Sequence, residues 1–213
     1  MASLTDQITA FFGGNDSAAD EGLRDLFITE LKSVYYVEKK IVDSLGKQVS
    51  AATSDEVRDA FLHHQEETRT QITRLEDIFR ILSIAAGQHT NKAVDGLIDD
   101  AQFFVDDTEN GSLTRDAALI IAAQKIEHLE IASYGSLLTL ARVLGFDQSA
   151  ELLTLTLEEE KAADKKLTVL AESFVNQQAK EEETPGSHHQ SRAPQIDPDD
   201  PNQNVTLGGT LGI

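Results

Sequence analysis

The chain of 213 residues contains no cysteine. This absence excludes disulfides, thiol nucleophiles, and zinc or iron–sulfur sites that depend on thiolate ligands. No run of about 18 apolar residues occurs, so no membrane span is predicted. The first residues lack a basic stretch followed by an apolar core, which argues against a secretory signal. We therefore expect a cytoplasmic protein.

Proline is absent from most of the chain, because all four prolines follow position 184. A proline-free body rich in Ala, Leu, Glu, Lys and Gln predicts helices. We expect a flexible N-terminal segment over residues 1–20 and one helical domain over 21–180. Residues 181–213 are rich in Pro, Asp, Ser, Asn and Gly, which predicts an extended or disordered tail.

Basic residues are scarce: the chain has 18 Lys and Arg but 37 Asp and Glu, which gives a formal net charge of -19. Such a surface repels nucleic acids and anionic membranes and attracts cations. We therefore expect neither nucleic acid nor membrane as a partner. An acid-rich solvated surface alone would explain this charge, so the position of each acid decides what it means.

Helical periodicity predicts one short helix, over 92–107, and four long ones. The long helices are expected over about 21–50, 54–87, 112–145 and 147–179. Short links join the first pair and the last pair into antiparallel hairpins, and the longer second-to-third link can cross the length of a bundle. The predicted fold is all-α: a ferritin-like antiparallel four-helix bundle. Its second and third long helices, B and C, are joined by a long B–C crossover containing a short helix.

The core-facing line of each long helix is apolar at both ends and polar near its middle. A buried carboxylate costs several kcal/mol unless it is paired, protonated or bound to metal. Two divalent cations would neutralise such a cluster, whereas salt bridges to nearby lysines (39, 125, 161 and 165) are the alternative. The predicted metal ligands are Glu38, His64, Glu67, Glu127, Glu130, Glu160 and Asp164.

Four of these glutamates lie one on each helix, and a faint internal repeat aligns Glu38 with Glu130 and Glu67 with Glu160. Oxygen-rich ligands with one imidazole favour iron or manganese. The predicted cofactor is two iron ions, with manganese as the alternative. Bundles with two metals commonly carry Glu-x-x-His pairs, but here the order is reversed in His64-x-x-Glu67.

Four stretches resemble the YciE/YciF-type ferritin-like stress-protein family: LFITELKSVYYVEKKI, HHQEETRTQITRLEDIF, RDAALIIAAQKIEHLEIASYGSL and LEEEKAADKKLTVLA. The resemblance covers about residues 23–178, and the segment 127–135 is its most specific part. It implies a ferritin-like bundle with a two-metal site, a homodimer and a role in the stress response.

Two functions remain open at this point. In the first, the metals bind oxygen or peroxide, and the protein oxidises Fe(II) or consumes peroxide as a ferroxidase or a peroxidase- or catalase-like enzyme. In the second, the protein is a structural or protective stress protein whose metal site only stabilises the fold. No catalytic side chain is assigned in either case.

The last residues, 203–213, form a short apolar and glycine-rich peptide after a Pro/Asp-rich linker. This peptide resembles the cargo-loading segments that encapsulin shell proteins capture, which implies a shell protein as partner and a location inside a protein nanocompartment. Alternating aliphatic residues on a tether suit a groove on a partner. A tail without a partner is the alternative.

Overall fold

The structure is a computed structural model that describes the backbone of residues 16–182 and the side chains from Gly22 onward. Most of the predicted N-terminal segment and nearly all of the predicted tail, including the peptide 203–213, lie outside these residues. Within 16–182, no helix combines the length and the hydrophobicity of a membrane span.

The described residues form helices joined by turns and loops, with no strand among them, and confirm the predicted all-α, ferritin-like bundle. Helix α1 begins at Asp16, earlier than the predicted start at about residue 21. The short crossover helix has the predicted bounds. In chain order the helices are α1 (Asp16–Ala51), α2 (Asp55–Ile81), α3 (Lys92–Asp107), α4 (Leu113–Val143), α5 (Asp147–Leu170), a π-helical turn (Ala171–Val175) and α6 (Asn176–Glu182).

Side-chain caps fix where α2, α3 and α4 begin. The hydroxyl of Ser54 accepts a hydrogen bond from Val57 N at 3.3 Å, and that of Ser112 accepts one from Arg115 N at 3.2 Å. Asn91 caps α3 by accepting hydrogen bonds from two backbone amides. Each cap satisfies amides that have no partner within the helix, which is why these starts could be read from the sequence.

The prediction that α2 continues to about residue 87 was wrong, because the helix ends at Ile81. Ser83 adopts a left-handed conformation with φ of 55°, and Ile84 N donates to Phe79 O at 3.0 Å. This arrangement closes the helix end in the way that glycine usually does. At the end of α4, Gly145 does so with φ of 71°.

The last helix changes register at the π-helical turn. A regular α-helical face continued from Leu167 would reach Ala171 and Phe174, but the fully buried residue of this turn is Val175. A π turn inserts one residue into the helical repeat. The buried face therefore moves by one position, and Ala179 continues it in α6.

The four long helices pack in two antiparallel hairpins. Helix α1 packs against α2 and α4, and α5 packs against α4 and α2. Two apolar clusters fill the bundle: one is built around Phe27, Leu75 and Leu137, and the other around Ile41, Phe61 and Ile120. A polar layer lies between these clusters, so the centre of the core is where the chain buries its charged groups.

Helix α3 lies in the crossover and is held against α1 and α4. Val94 is fully buried, and the Tyr36 hydroxyl donates to Asp95 Oδ1 at 2.8 Å. Arg115 of α4 donates to the carbonyl of Val105 at 2.9 Å. The crossover of residues 82–112, which includes α3, is long enough to return along the bundle, so α2 and α4 can run parallel to each other, as the ferritin-like topology requires.

One buried acid, Asp116 of α4, holds the turn between α1 and α2. Its carboxylate accepts hydrogen bonds from Thr53 N at 2.7 Å, Ser54 N at 2.8 Å and the Ser54 hydroxyl at 2.6 Å. The residue has no exposed surface. The Asp116 carboxylate therefore accepts hydrogen bonds from backbone amides at the start of α2 that have no partner within the helix.

We predict that Asp116→Ala lowers the free energy of unfolding by about 3 kcal/mol, because two backbone amides would lose their partners. The matched control is Asp59→Ala at an exposed position of α2, which should change stability by under about 0.5 kcal/mol. Urea unfolding followed by circular dichroism measures both variants. Equal stability of the two would contradict the role assigned to Asp116.

Candidate metal centre

Three helices bring four titratable side chains together in the polar layer. His64 comes from α2, Glu127 and Glu130 from α4, and Glu160 from α5, and one ligand atom of each lies within 4.8 Å of those of the other three. All four residues are buried, with at most 6% of their surface exposed. These four side chains could hold a metal ion.

His64 is the cationic partner of the cluster. Its Nε2 lies 3.1 Å from Glu127 Oε1 and 3.8 Å from Glu160 Oε2. Burial, the largest single influence, lowers the pKa of this imidazole, but the charge and hydrogen bond of Glu127, together with Glu67 and Glu160, hold the pKa well above its usual value. Even so, one imidazolium cannot balance several carboxylates.

The alternative of a lysine salt-bridge network finds no support among the described side chains. Lys125 pairs with Asp100 at 3.2 Å, and Lys161 pairs with Glu158 at 2.8 Å, both on the exposed surface. The amine of Lys39 lies over the ring of Tyr35. These lysines therefore contact other side chains and do not neutralise the buried carboxylates.

Several buried ligand atoms have no hydrogen-bond partner among the described residues. A buried polar atom without a partner is costly, so a group of them at one place calls for an ion or a proton. Two of these atoms belong to Glu160 alone. The atoms around the cluster are Glu38 Oε2, His64 Nδ1 and Nε2, Glu127 Oε2, Glu130 Oε2, and Glu160 Oε1 and Oε2.

Glu38 of α1 lies beside the cluster with no exposed surface. The hydroxyl of Tyr134, which is also fully buried, donates a hydrogen bond to Glu38 Oε1. Burial raises the pKa of Glu38 to about 7, although this hydrogen bond opposes the rise. Tyr134 therefore orients one oxygen and leaves Oε2 free for another partner, a role that the sequence left open.

The remaining two predicted ligands lie at the edges of the layer. The side chain of Glu67 is 30% exposed, and its Oε2 lies 3.1 Å from His63 Nδ1 and 3.6 Å from His64 Nδ1. Asp164 Oδ1 accepts a hydrogen bond from Gln124 Nε2 at 3.0 Å and lies 3.4 Å from the exposed His128. Glu67 thus contacts the cluster through His64, whereas Asp164 has polar partners of its own.

A second polar group, which the sequence prediction did not include, supports the layer from the α2–α5 side. Glu159 accepts hydrogen bonds from Arg74 Nη2 at 2.7 Å and from Gln71 Nε2 at 3.1 Å. Gln71 has no exposed surface, and its Oε1 accepts no hydrogen bond from residues 16–182. Only the fold shows this group, because a helical line through α5 directs Glu159 away from the core.

Comparison with known proteins gives the family. Residues 22–180 match the family described as a domain of unknown function, DUF892. The protein YciF of Escherichia coli strain K12 is 44% identical over 158 residues, which are 74% of this chain and 95% of YciF. The chain belongs to this family. The predicted relationship to YciF-type stress proteins is thereby confirmed.

Solved structures similar to this chain share the fold. The crystal structure of the stress protein YciF from E. coli matches with a TM-score of 0.69 over 72% of this chain and 97% of that one. The protein YcfI from Rhodopseudomonas palustris, 37% identical, matches with a TM-score of 0.67 over 68% and 92%. A protein from Xanthomonas campestris pv. campestris, 21% identical, has the same fold with a TM-score of 0.60 over 76% and 99%.

Glu130 and Glu160 favour their protonated forms when no metal is bound. Burial, followed by the charges of neighbouring glutamates, raises the pKa of Glu130 and of Glu160 well above the usual value. A carboxyl group whose pKa is raised on folding stabilises the fold at low pH, and that stability is lost as pH rises through the folded pKa. The raised pKa of His64 acts in the same direction above its ordinary value of 6.5.

We predict that the metal-free protein loses stability between about pH 5 and about pH 8, because the folded state binds more protons than the unfolded state there. Urea unfolding of chelator-treated protein measures the slope. Glu130→Gln should flatten it, since a neutral amide does not titrate, whereas Glu151→Gln at an exposed position of α5 should not. A stability that rises over this range would contradict the prediction.

Proposed function

We propose that the chain is a carboxylate-bridged two-metal protein of the stress response that binds Fe(II) and reacts with oxygen or peroxide. The observation that carries this proposal is the buried cluster of His64, Glu127, Glu130 and Glu160, whose ligand atoms lie within 4.8 Å of one another and largely lack partners. Membership of a family that includes the stress protein YciF supports the physiological setting.

The residues present fit two divalent cations better than one. Glu38 adds a free oxygen to the four clustered side chains, and four glutamates with one imidazole carry enough negative charge to balance two ions of charge +2. Oxygen ligands with a single imidazole favour iron or manganese over zinc or copper(I). We propose iron, with manganese as the alternative. Glu67 and Asp164 complete the proposed ligand set from the edges of the layer.

A pair of iron ions bound here would supply oxygen or peroxide chemistry of the kind that adjacent metal ions support. The protein's own contribution is to hold the ligands and to exclude bulk water. The apolar clusters on either side close the layer above and below. Glu38, Glu130 and Glu160 release protons as metal replaces them, because burial favours their neutral forms.

The test is an anaerobic titration of metal-free protein with Fe(II), followed by exposure to oxygen or peroxide. We expect two Fe(II) per chain and consumption of the oxidant in proportion to bound iron. Metal binding without consumption would favour the structural or protective role, in which the ions only stabilise the fold. Failure to bind any divalent metal would refute the two-metal proposal.

Tyr134→Phe provides a sharper measure within the same titration. Removing the hydroxyl leaves the shape of the core but frees Glu38, so iron affinity should fall by about 10- to 100-fold, as is usual when the partner of a ligand is lost. The control is Tyr35→Phe, which removes a hydroxyl that donates to Glu76 at 2.7 Å, outside the cluster. Its iron affinity should stay at the wild-type value.

We also propose two protein partners, a second copy of the chain in a homodimer and an encapsulin-type shell protein that captures residues 203–213. The first follows from the family resemblance and the second from the sequence of the peptide. Co-expression with such a shell protein should give co-purification of the full chain and none after deletion of 203–213. Equal recovery of both chains would refute capture by this peptide.

A further inference from the structure

A narrow crevice between α2 and α5 leads from the surface to the carboxylate cluster. Its floor is formed by His64 and Glu127, two members of the cluster. Lys166 and His63 stand at its mouth, where Lys166 is exposed and the His63 side chain is 64% exposed. The lining of the crevice therefore includes both exposed side chains and buried ligand residues of the cluster.

Ligand atoms follow one another along this path. Glu67 lies between the mouth and the floor, with its Oε2 3.1 Å from His63 Nδ1 and 3.6 Å from His64 Nδ1. Beyond it, Glu127 Oε2 and His64 Nδ1 are buried and accept or donate no hydrogen bond within the described part of the chain. A cation that leaves water at the mouth would meet a carboxylate before it reaches the floor, so it would not cross an apolar stretch without a ligand.

The width of the path limits what can pass. The space open to the centre of a water molecule is about 20 Å³, roughly enough for one water. Two alanines, Ala60 and Ala163, form part of the walls, and their small side chains keep the gap open. A single divalent ion fits such a gap after losing most of its water, whereas an organic molecule does not.

We propose that this crevice is the route by which divalent cations reach the cluster, with Glu67 as the intermediate ligand and Ala163 as the position that sets its width. This inference rests on the proposed metal-binding function. Lys166 places a positive charge at the mouth and so slows the approach of cations to a protein whose net charge of -19 otherwise attracts them. The route determines the rate of metal uptake, and the cluster determines its extent.

The test follows binding of Co²⁺ to metal-free full-length protein by stopped-flow absorption, with the end point giving stoichiometry. Ala163→Leu should slow uptake at least 10-fold and leave the stoichiometry unchanged, because leucine would fill the gap. Ala162→Leu adds the same side chain at the adjacent, exposed position of α5 and should bind at the wild-type rate. Circular dichroism checks that both variants fold.

A pair of charge variants tests the route without altering its packing. Lys166→Glu and Lys165→Glu change the net charge equally, and both positions are exposed, but only Lys166 lines the crevice. Lys166→Glu should speed Co²⁺ uptake several-fold more than Lys165→Glu does. The difference should shrink as added salt screens the charge.

The possible results distinguish failure of the proposed entry route from failure of the proposed metal site. If wild-type protein binds Co²⁺ and each variant binds at the rate of its control, the route is refuted and the metal site stands. If wild-type protein binds no Co²⁺, the metal-binding function fails and the route fails with it. Should Ala163→Leu not fold, the two lysine variants decide the question alone.

Discussion

The burial of at least four glutamates around a single imidazole is the constraint on which the rest of the structure depends. Taking a carboxylate out of water costs several kcal/mol unless a partner compensates. Here the partner inside the protein is His64, and it lies 3.1 Å from only one carboxylate oxygen, that of Glu127. The layer is therefore short of positive charge, and a bundle built to be stable alone would have apolar residues there.

The surrounding core limits how the layer can relax. Apolar clusters pack on either side of it, and their members Leu31 and Ile120 are at most 1% exposed, so the glutamates lie between two layers that exclude water. Tyr134 fixes Glu38 by a hydrogen bond from α4 to α1. The ligands are thus oriented before any metal binds, which reduces the cost of organising a site.

Much of this arrangement could be predicted from the sequence, because helical periodicity follows directly from the spacing of apolar residues. The predicted bounds of α3 agree with the structure, in which Asn91 caps the start of the helix. The four clustered residues were all among the predicted ligands. A polar residue in the middle of an apolar helical line can be recognised from the sequence of that helix alone, without knowing how neighbouring helices pack.

The features that the sequence concealed depend on contacts between helices or on unusual backbone. Ser83 ends α2 with a positive φ, which serine rarely adopts, so nothing in the sequence marked that end. The helical line through α5 does not separate Glu160 from Asp164, yet the first is buried and the second meets Gln124 and His128. Only the packing of α2 and α4 against α5 decides which acid faces the centre of the layer.

The same burial that holds the ligands gives the layer two ways to balance its charge. Burial raises the pKa of Glu38, Glu130 and Glu160 and so favours their neutral, protonated forms when metal is absent. Bound cations would neutralise the layer instead, and they must displace those protons. Rising pH therefore weakens the metal-free fold and strengthens metal binding at once. A crevice with its own carboxylate, Glu67, lets the exchange of protons for cations proceed without opening the bundle.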